Sequence, residues 1–213
     1  MANSSHNPLP RALLLTLAFC CSTGLLAQPE DLQIPDLTIS DTLPINLDAD
    51  SSEFDRLNNR LVFQGLRLSQ GALGIAADDA EANQLDFDNS VWVFRGNVLI
   101  ESGDTRAWAD EATVRFESHR MAYAELRGGP ARFEQRRVDS EALAEGRALT
   151  MQYDIQGASI RLIDDAWLTD GKNEVSGATI SYDLAREYIV ADSDPSGQVR
   201  MKIIPPEESR SSP

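Results

Sequence analysis

The chain has 213 residues, 42% of them hydrophobic and 25% charged, a globular composition that excludes wholesale disorder and leaves room for one large domain or two small ones. Its 34 acidic residues outnumber 19 Lys and Arg, and a formal net charge of −15 is the wrong sign for a nucleic-acid binder. The two cysteines are Cys20 and Cys21, so a chain cut beyond them has no disulfide, thiolate nucleophile or Cys-ligated metal.

Residues 1–27 read as a secretory signal peptide: Arg11, an apolar run from Ala12, and the small residue Ala27 ahead of the polar QPED. The run contains Thr16, Ser22 and Thr23 and is shorter than the roughly 20 apolar residues of a spanning helix. Leu25 is not the small residue usual three positions before a cut, so the exact site near Ala27 stays open. Residues 28–44, with three prolines and several acids, read as a flexible leader; residues 205–213, rich in Pro and Ser, read as a fraying tail.

Between them, over residues 45–204, the chain repeats itself. An aromatic followed by an acid recurs as Phe54-Asp55, Phe87-Asp88, Phe116-Glu117, Tyr153-Asp154 and Tyr182-Asp183, with turn-prone residues and a second β-rich run around each pair. Alternation is explicit in places. Ala112, Val114 and Phe116 alternate with Thr113, Arg115 and Glu117; Val199, Met201 and Ile203 alternate with Arg200 and Lys202. A period of two with one apolar face marks half-buried antiparallel strands. In GATISYDLAREYIVAD the helix formers fall in a turn, Leu184 to Glu187, between two such strands. SEALAEG, Ser140–Gly146, carries the remaining helix formers, is too short to stand alone as a helix, and is expected to be a loop. The fold class is therefore all-β, with about 12 to 16 strands in an antiparallel sheet folded over, closed or stacked on itself.

Catalytic constellations are missing: there is no Gly-rich phosphate loop followed by Lys-Ser/Thr and no His-rich metal spacing, so no cofactor or metal is expected. His119 reads as a solvated turn residue. The acid pairs Asp78-Asp79, Asp110-Glu111 and Asp164-Asp165 could serve a hydrolase, but among so many acids they read as solvated bends between strands. Trp92, Trp108 and Trp167 could stack on sugars, but read as packing.

Three stretches carry a family resemblance. They are LPINLDADSSEFDRLNNRLVFQGLRLSQG, with Pro44, Ile45, Ala49 and Asp50 and the Phe63-x-Gly65 bend; LTMQYDIQGASIRLIDDAWLTDGKNEVSGATISYDLAREYIVA, with Gly177, Ile180, Tyr182 and Asp183; and the closing QVRMKIIP. The chain resembles the LptA, or OstA-like, family of periplasmic lipopolysaccharide transport proteins, shared with LptC and the amino-terminal domain of LptD. The resemblance implies an open, twisted antiparallel β-jelly roll, a β-taco, whose sheets diverge around an apolar groove. It also implies a non-enzymatic role in lipopolysaccharide export and outer-membrane assembly in a Gram-negative envelope. Units would stack head to tail from an LptC-like inner-membrane component to an LptD-like outer-membrane component, with the lipid A acyl chains inside. The acidity implies either that phosphorylated headgroups stay outside the groove or that partner surfaces are basic.

Alternation then offers candidates for the groove wall: Phe54, Phe63, Phe87, Phe94, Val114 and Phe116 in the first half, and Phe133, Met151, Tyr153, Ile180, Tyr182 and Val190 in the second. The exposed edges expected to pair between molecules hold Ile45 and Leu47 at one end and Val199, Met201 and Ile203 at the other. Two other readings remain: a structural or adhesive surface β-module with a filled core and no lipid binding, and an acid-pair hydrolase.

Overall fold

The computed structural model describes residues 43–84, 87–136, 143–183, 186, 188–195 and 197–205. The expected signal peptide at 1–27, the leader up to residue 42, the tail from residue 206, and Leu184, Ala185 and Glu187 of the last turn lie outside these residues. Twelve strands follow in chain order: β1 (Asn46–Asp48), β2 (Ser51–Asp55), β3 (Arg60–Gln70), β4 (Leu73–Ala82), β5 (Asn89–Ser102), β6 (Thr105–Glu117), β7 (Arg120–Arg136), β8 (Leu143–Asp154), β9 (Ser159–Thr169), β10 (Glu174–Asp183), β11 (Tyr188–Asp192) and β12 (Arg200–Lys202). The all-β expectation and its strand number hold.

From β3 to β11 each strand pairs antiparallel with the next in one sheet. At the first edge β1 and β2 share β3; at the other β11 and β12 share β10. Among the described residues the two edges do not meet, so the sheet stays open.

Strands of up to 17 residues are long against the usual 3 to 10 because each is bent in its middle. Register breaks fall between Ala76 and Asp79, Arg95 and Val98, Trp108 and Glu111, Arg127 and Ala131, Arg147 and Thr150, and Gly177 and Thr179. These bulges form a crease across the sheet, since bulged residues leave the ladder and bend the strand. Gly96 (φ 73°), Asn97 (47°), Asp164 (63°) and Asp165 (53°) supply the left-handed backbone that the crease needs.

The acid pairs were expected as bends between strands. They sit inside strands instead, on the crease. The Asp78 carboxylate accepts from Asn97 Nδ2 at 2.7 Å and lies where a Cβ on Gly96 would be. Asp110 accepts from Gly129 N at 3.1 Å. Asp78 and Asp110 therefore brace the neighbouring strand's bulge, a role that adjacency in sequence does not distinguish from a turn.

Folding at the crease places the outer halves of the strands, 60–64 through 179–183, in sheet I, and the other halves, 66–70 through 174–177, in sheet II. Buried apolar residues of both halves form one cluster. Where the sheets converge the inward residues are small: Ala77, Ala109, Ala131, Ala148 and Ala166 are all buried. Along the free rim of sheet I stand the aromatic–acid pairs. In three of them the acid caps a hairpin turn: Asp55 accepts from Leu57 N at 2.9 Å, Asp154 from Gly157 N at 2.8 Å and Asp183 from Arg186 N at 3.0 Å. The repeat is thus a hairpin period.

The SEALAEG segment is a second correction. Leu143–Gly146 is the start of β8, while Ser140–Ala142 lie outside the described residues. Gly146 pairs with Phe133, whose ring covers it so closely that a Cβ would collide. Packing overrides helix propensity here.

Candidate functional site

The space between the sheets is filled in two ways. Across β3 to β6 it is closed by rings. Trp92 is 0% exposed and lies between Phe63 at 5.7 Å and Phe87 at 4.9 Å, both stacked; Phe94 stacks on it at 6.0 Å and Phe116 meets Phe87 edge-on at 5.1 Å. Its indole N–H donates to Ser90 Oγ at 3.2 Å, so the buried polar atom is satisfied.

Across β5 to β9 a cavity of about 80 Å³ remains. Sheet I lines it with Met121, Ala124, Leu126, Met151, Tyr153 and Ile160; sheet II lines it with Ile100, Ser102, Thr105, Ala107 and Phe133. The cavity is small against the roughly 300–1,000 Å³ of an ordinary ligand pocket. A multi-chain lipid would need the sheets to part.

The residues predicted to line a groove therefore separate. Phe133, Met151 and Tyr153 line the cavity. Phe63, Phe87, Phe94, Val114, Phe116, Ile180 and Tyr182 are buried in the packed interior. Phe54 shares the inner face with its partner Leu61 but is 51% exposed, because β2 is an edge strand. Val190 is a correction. It pairs with Ser181, so it points outward, and Ile189 and Ala191 take the inner face opposite Tyr182 and Ile180. Sequence reasoning also missed Ile100, Ser102, Thr105 and Ala107. They follow the same inward alternation through the Gly103-Asp104 hairpin, but Ser102, Thr105 and Ala107 are small or polar and, like the aliphatic Ile100, attract less notice than rings.

Charge is kept out of the interior. Among the described residues the buried polar side chains are Gln70, Ser90, Ser102, Thr105, Gln135 and Thr169, all neutral. The outer faces carry the ion pairs, such as Arg60–Glu81 at 2.7 Å and Arg95–Glu111 at 3.1 Å. Behind the cavity wall, Glu125 accepts from Gln152 at 2.8 Å and from the Tyr123 hydroxyl at 3.0 Å. These bonds, the Gln152 one foremost, together with Arg127 hold its carboxyl below its ordinary value against the effect of burial. Trp108 and Trp167 are on the outer face with Arg132 and Arg147 over their rings at 4.3 and 4.6 Å, so guanidinium groups occupy the faces a sugar would use. His119 is an exposed turn residue.

Exposed large apolar residues gather at the two edges: Leu43, Phe54 and Leu57 at the first, and Tyr188, Ile189, Val190, Val199, Met201, Ile203 and Ile204 at the other. Of the edge residues expected to pair between molecules, Ile45 and Leu47 are half-buried against the core, whereas Val199, Met201 and Ile203 are exposed.

A family model described as LptA/(LptD N-terminal domain) LPS transport protein matches residues 75–188, more than half of the chain. The chain belongs to this family. Membership carries a role in lipopolysaccharide transport, and the chain's open β-jelly roll fits it. The lipopolysaccharide export system protein LptH of Pseudomonas aeruginosa is 29% identical over 126 residues, covering 59% of this chain and 70% of that protein. The export system protein LptA of Haemophilus influenzae is 25% identical over 129 residues, covering 59% and 74%; its Escherichia coli counterpart is 26% identical over 129, covering 60% and 69%. The crystal structure of LptH, the LptA-homologous periplasmic component of the lipopolysaccharide transport device of P. aeruginosa, shares the fold with a TM-score of 0.51 at 23% identity, over 76% of this chain and 96% of that one.

Proposed function

We propose that this member of the LptA family carries lipopolysaccharide through the periplasm by shielding its acyl chains between sheets I and II, and that copies stack edge to edge into a bridge between the membranes. One observation carries the reading: a charge-free interior runs between two open edges, and those edges hold nearly all the large apolar side chains left exposed among the described residues. Each exposed CH₂ costs about 0.8 kcal/mol, so a twelve-carbon chain in water costs on the order of 10 kcal/mol. An interior continuous from copy to copy keeps that cost from arising at each step. The chain's own groups then need do no chemistry, and direction comes from an energy source elsewhere.

The partners in this reading are an LptC-like inner-membrane component, an LptD-like outer-membrane component and further copies, head to tail. The backbone edges of β1 and β2 and of β11 and β12 are the surfaces that would pair, with Pro205 ending the ladder. Purified protein is expected to bind lipopolysaccharide in competition with lipid A and not with the polysaccharide portion. Competition by polysaccharide alone would favour a surface adhesive module instead. Assembly in sedimentation should rise with concentration and fall with Met201→Pro; assembly unchanged by that substitution would point to another interface.

A further inference from the structure

The inner face of sheet II ends at its rim in a polar row. Pairing runs Ser102 to Thr105 and Thr105 to Gln135, all on the cavity's side of the sheet. Ser102 and Thr105 line the cavity, and Gln135 stands beside Thr105. Thr105 is 7% and Gln135 8% exposed, and neither side chain makes a hydrogen bond among the described residues. Their polar atoms keep a small contact with solvent at the rim, where water satisfies them. An acyl chain entering the cavity would displace that water, and a carbonyl at the rim would take its place on the two side chains.

Their chemistry limits the ligand. A hydroxyl and a primary amide donate to and accept from neutral groups, and no charged side chain lies in the cavity wall. A phosphate would find no cation there. An ester or amide carbonyl would find donors. Inward positions of β6 run from Thr105 at the rim through Ala107 to Ala109 at the crease, so a chain entering past Thr105 passes from polar to apolar wall.

We propose that Thr105 and Gln135, with Ser102, form a polar lip that binds the ester or amide linkage of an acyl chain seated in the cavity, fixing which end of the lipid faces the rim of sheet II. The inference rests on the acyl-carrier reading above and names the group that the interior recognises.

The test uses two probes that differ in one carbonyl, 6-O-dodecanoyl glucose and 6-O-dodecyl glucose, below their micelle concentrations, with the purified protein. The ester is expected to bind about tenfold more tightly than the ether, the scale of one or two good neutral hydrogen bonds. Thr105→Val with Gln135→Leu should remove the preference and leave ether affinity within about twofold, while Thr105→Ser should keep it. If the double variant fails to fold, Thr105→Val alone, a change of nearly equal volume, is expected to reduce the preference by about threefold. Equal binding of both probes to the native protein, or a preference undiminished by Thr105→Val, would overturn the lip and leave the acyl-carrier reading standing. Binding of neither probe would overturn both.

Discussion

The interior beneath β3 to β6 and the interior beneath β5 to β9 are built by the same alternation, yet one is solid and the other hollow. In the first, Phe63, Phe87, Trp92, Phe94 and Phe116 meet ring to ring. In the second, Ala107, Ala124, Ser102 and Thr105 stand where rings would be needed to fill the gap, and Met121 and Met151 supply adaptable walls. Period two decides which side chains point in. Their volume decides whether the inside is a core or a container.

The largest effect expected from that contrast is on Trp92. Trp92→Ala should cost about 3–5 kcal/mol in urea unfolding, because its cavity opens inside a packed ring cluster. A loss near 1 kcal/mol would mean that the first region is as yielding as the second. Next comes Gly146, which lies under Phe133. Gly146→Ala should cost about 1–3 kcal/mol and displace the ring into the cavity, lowering acyl-probe affinity as it does so. Unchanged affinity would separate Phe133 from binding.

Acid should loosen the hollow region more than the ring-filled one: Glu81 of β4 is also held below its ordinary value, by its hydrogen bond from Arg60, but its side chain is 37% exposed against 17% for Glu125, so water screens it more. Because the folded Glu125 carboxyl lies below its ordinary value of about 4.5, its contribution is present above that value and is lost as pH falls through the lowered one. Hydrogen exchange in β7 and β8 should therefore quicken below about pH 4.5 relative to β4 and β5, and Glu125→Gln should flatten the difference. Equal pH dependence in both regions would contradict this. The smallest effect belongs to Leu57, which is 97% exposed: Leu57→Ser should change stability by under about 0.5 kcal/mol.

Much of the fold was legible in the sequence, because alternation and the aromatic–acid hairpin period are local signals. The crease was not. Asp78, Asp110 and Asp164 look like turn residues in sequence, and only the strand pairing shows that all three lie inside strands, where Asp78 and Asp110 brace a neighbouring bulge and Asp164 has a left-handed backbone at the crease. Val190 was misassigned for a related reason. Which residue of β11 faces inward depends on the register that pairs Asp183 with Tyr188, and alternation on one strand does not set the phase of the next. At the site, Phe133, Met151 and Tyr153 were legible as inward residues, while Thr105 and Gln135 were hidden by being small or polar on a face read for its rings.

The most direct test of the central claim places a photo-crosslinking side chain at Met151 or Phe133 in the hollow region, at Phe94 in the ring cluster, and at Arg161 on the outer face, with lipopolysaccharide present. The account predicts adducts at Met151 and Phe133 and none at Arg161, with Phe94 silent or unfolded. Adducts at Arg161 or Phe94 with none at Met151 or Phe133 would contradict it.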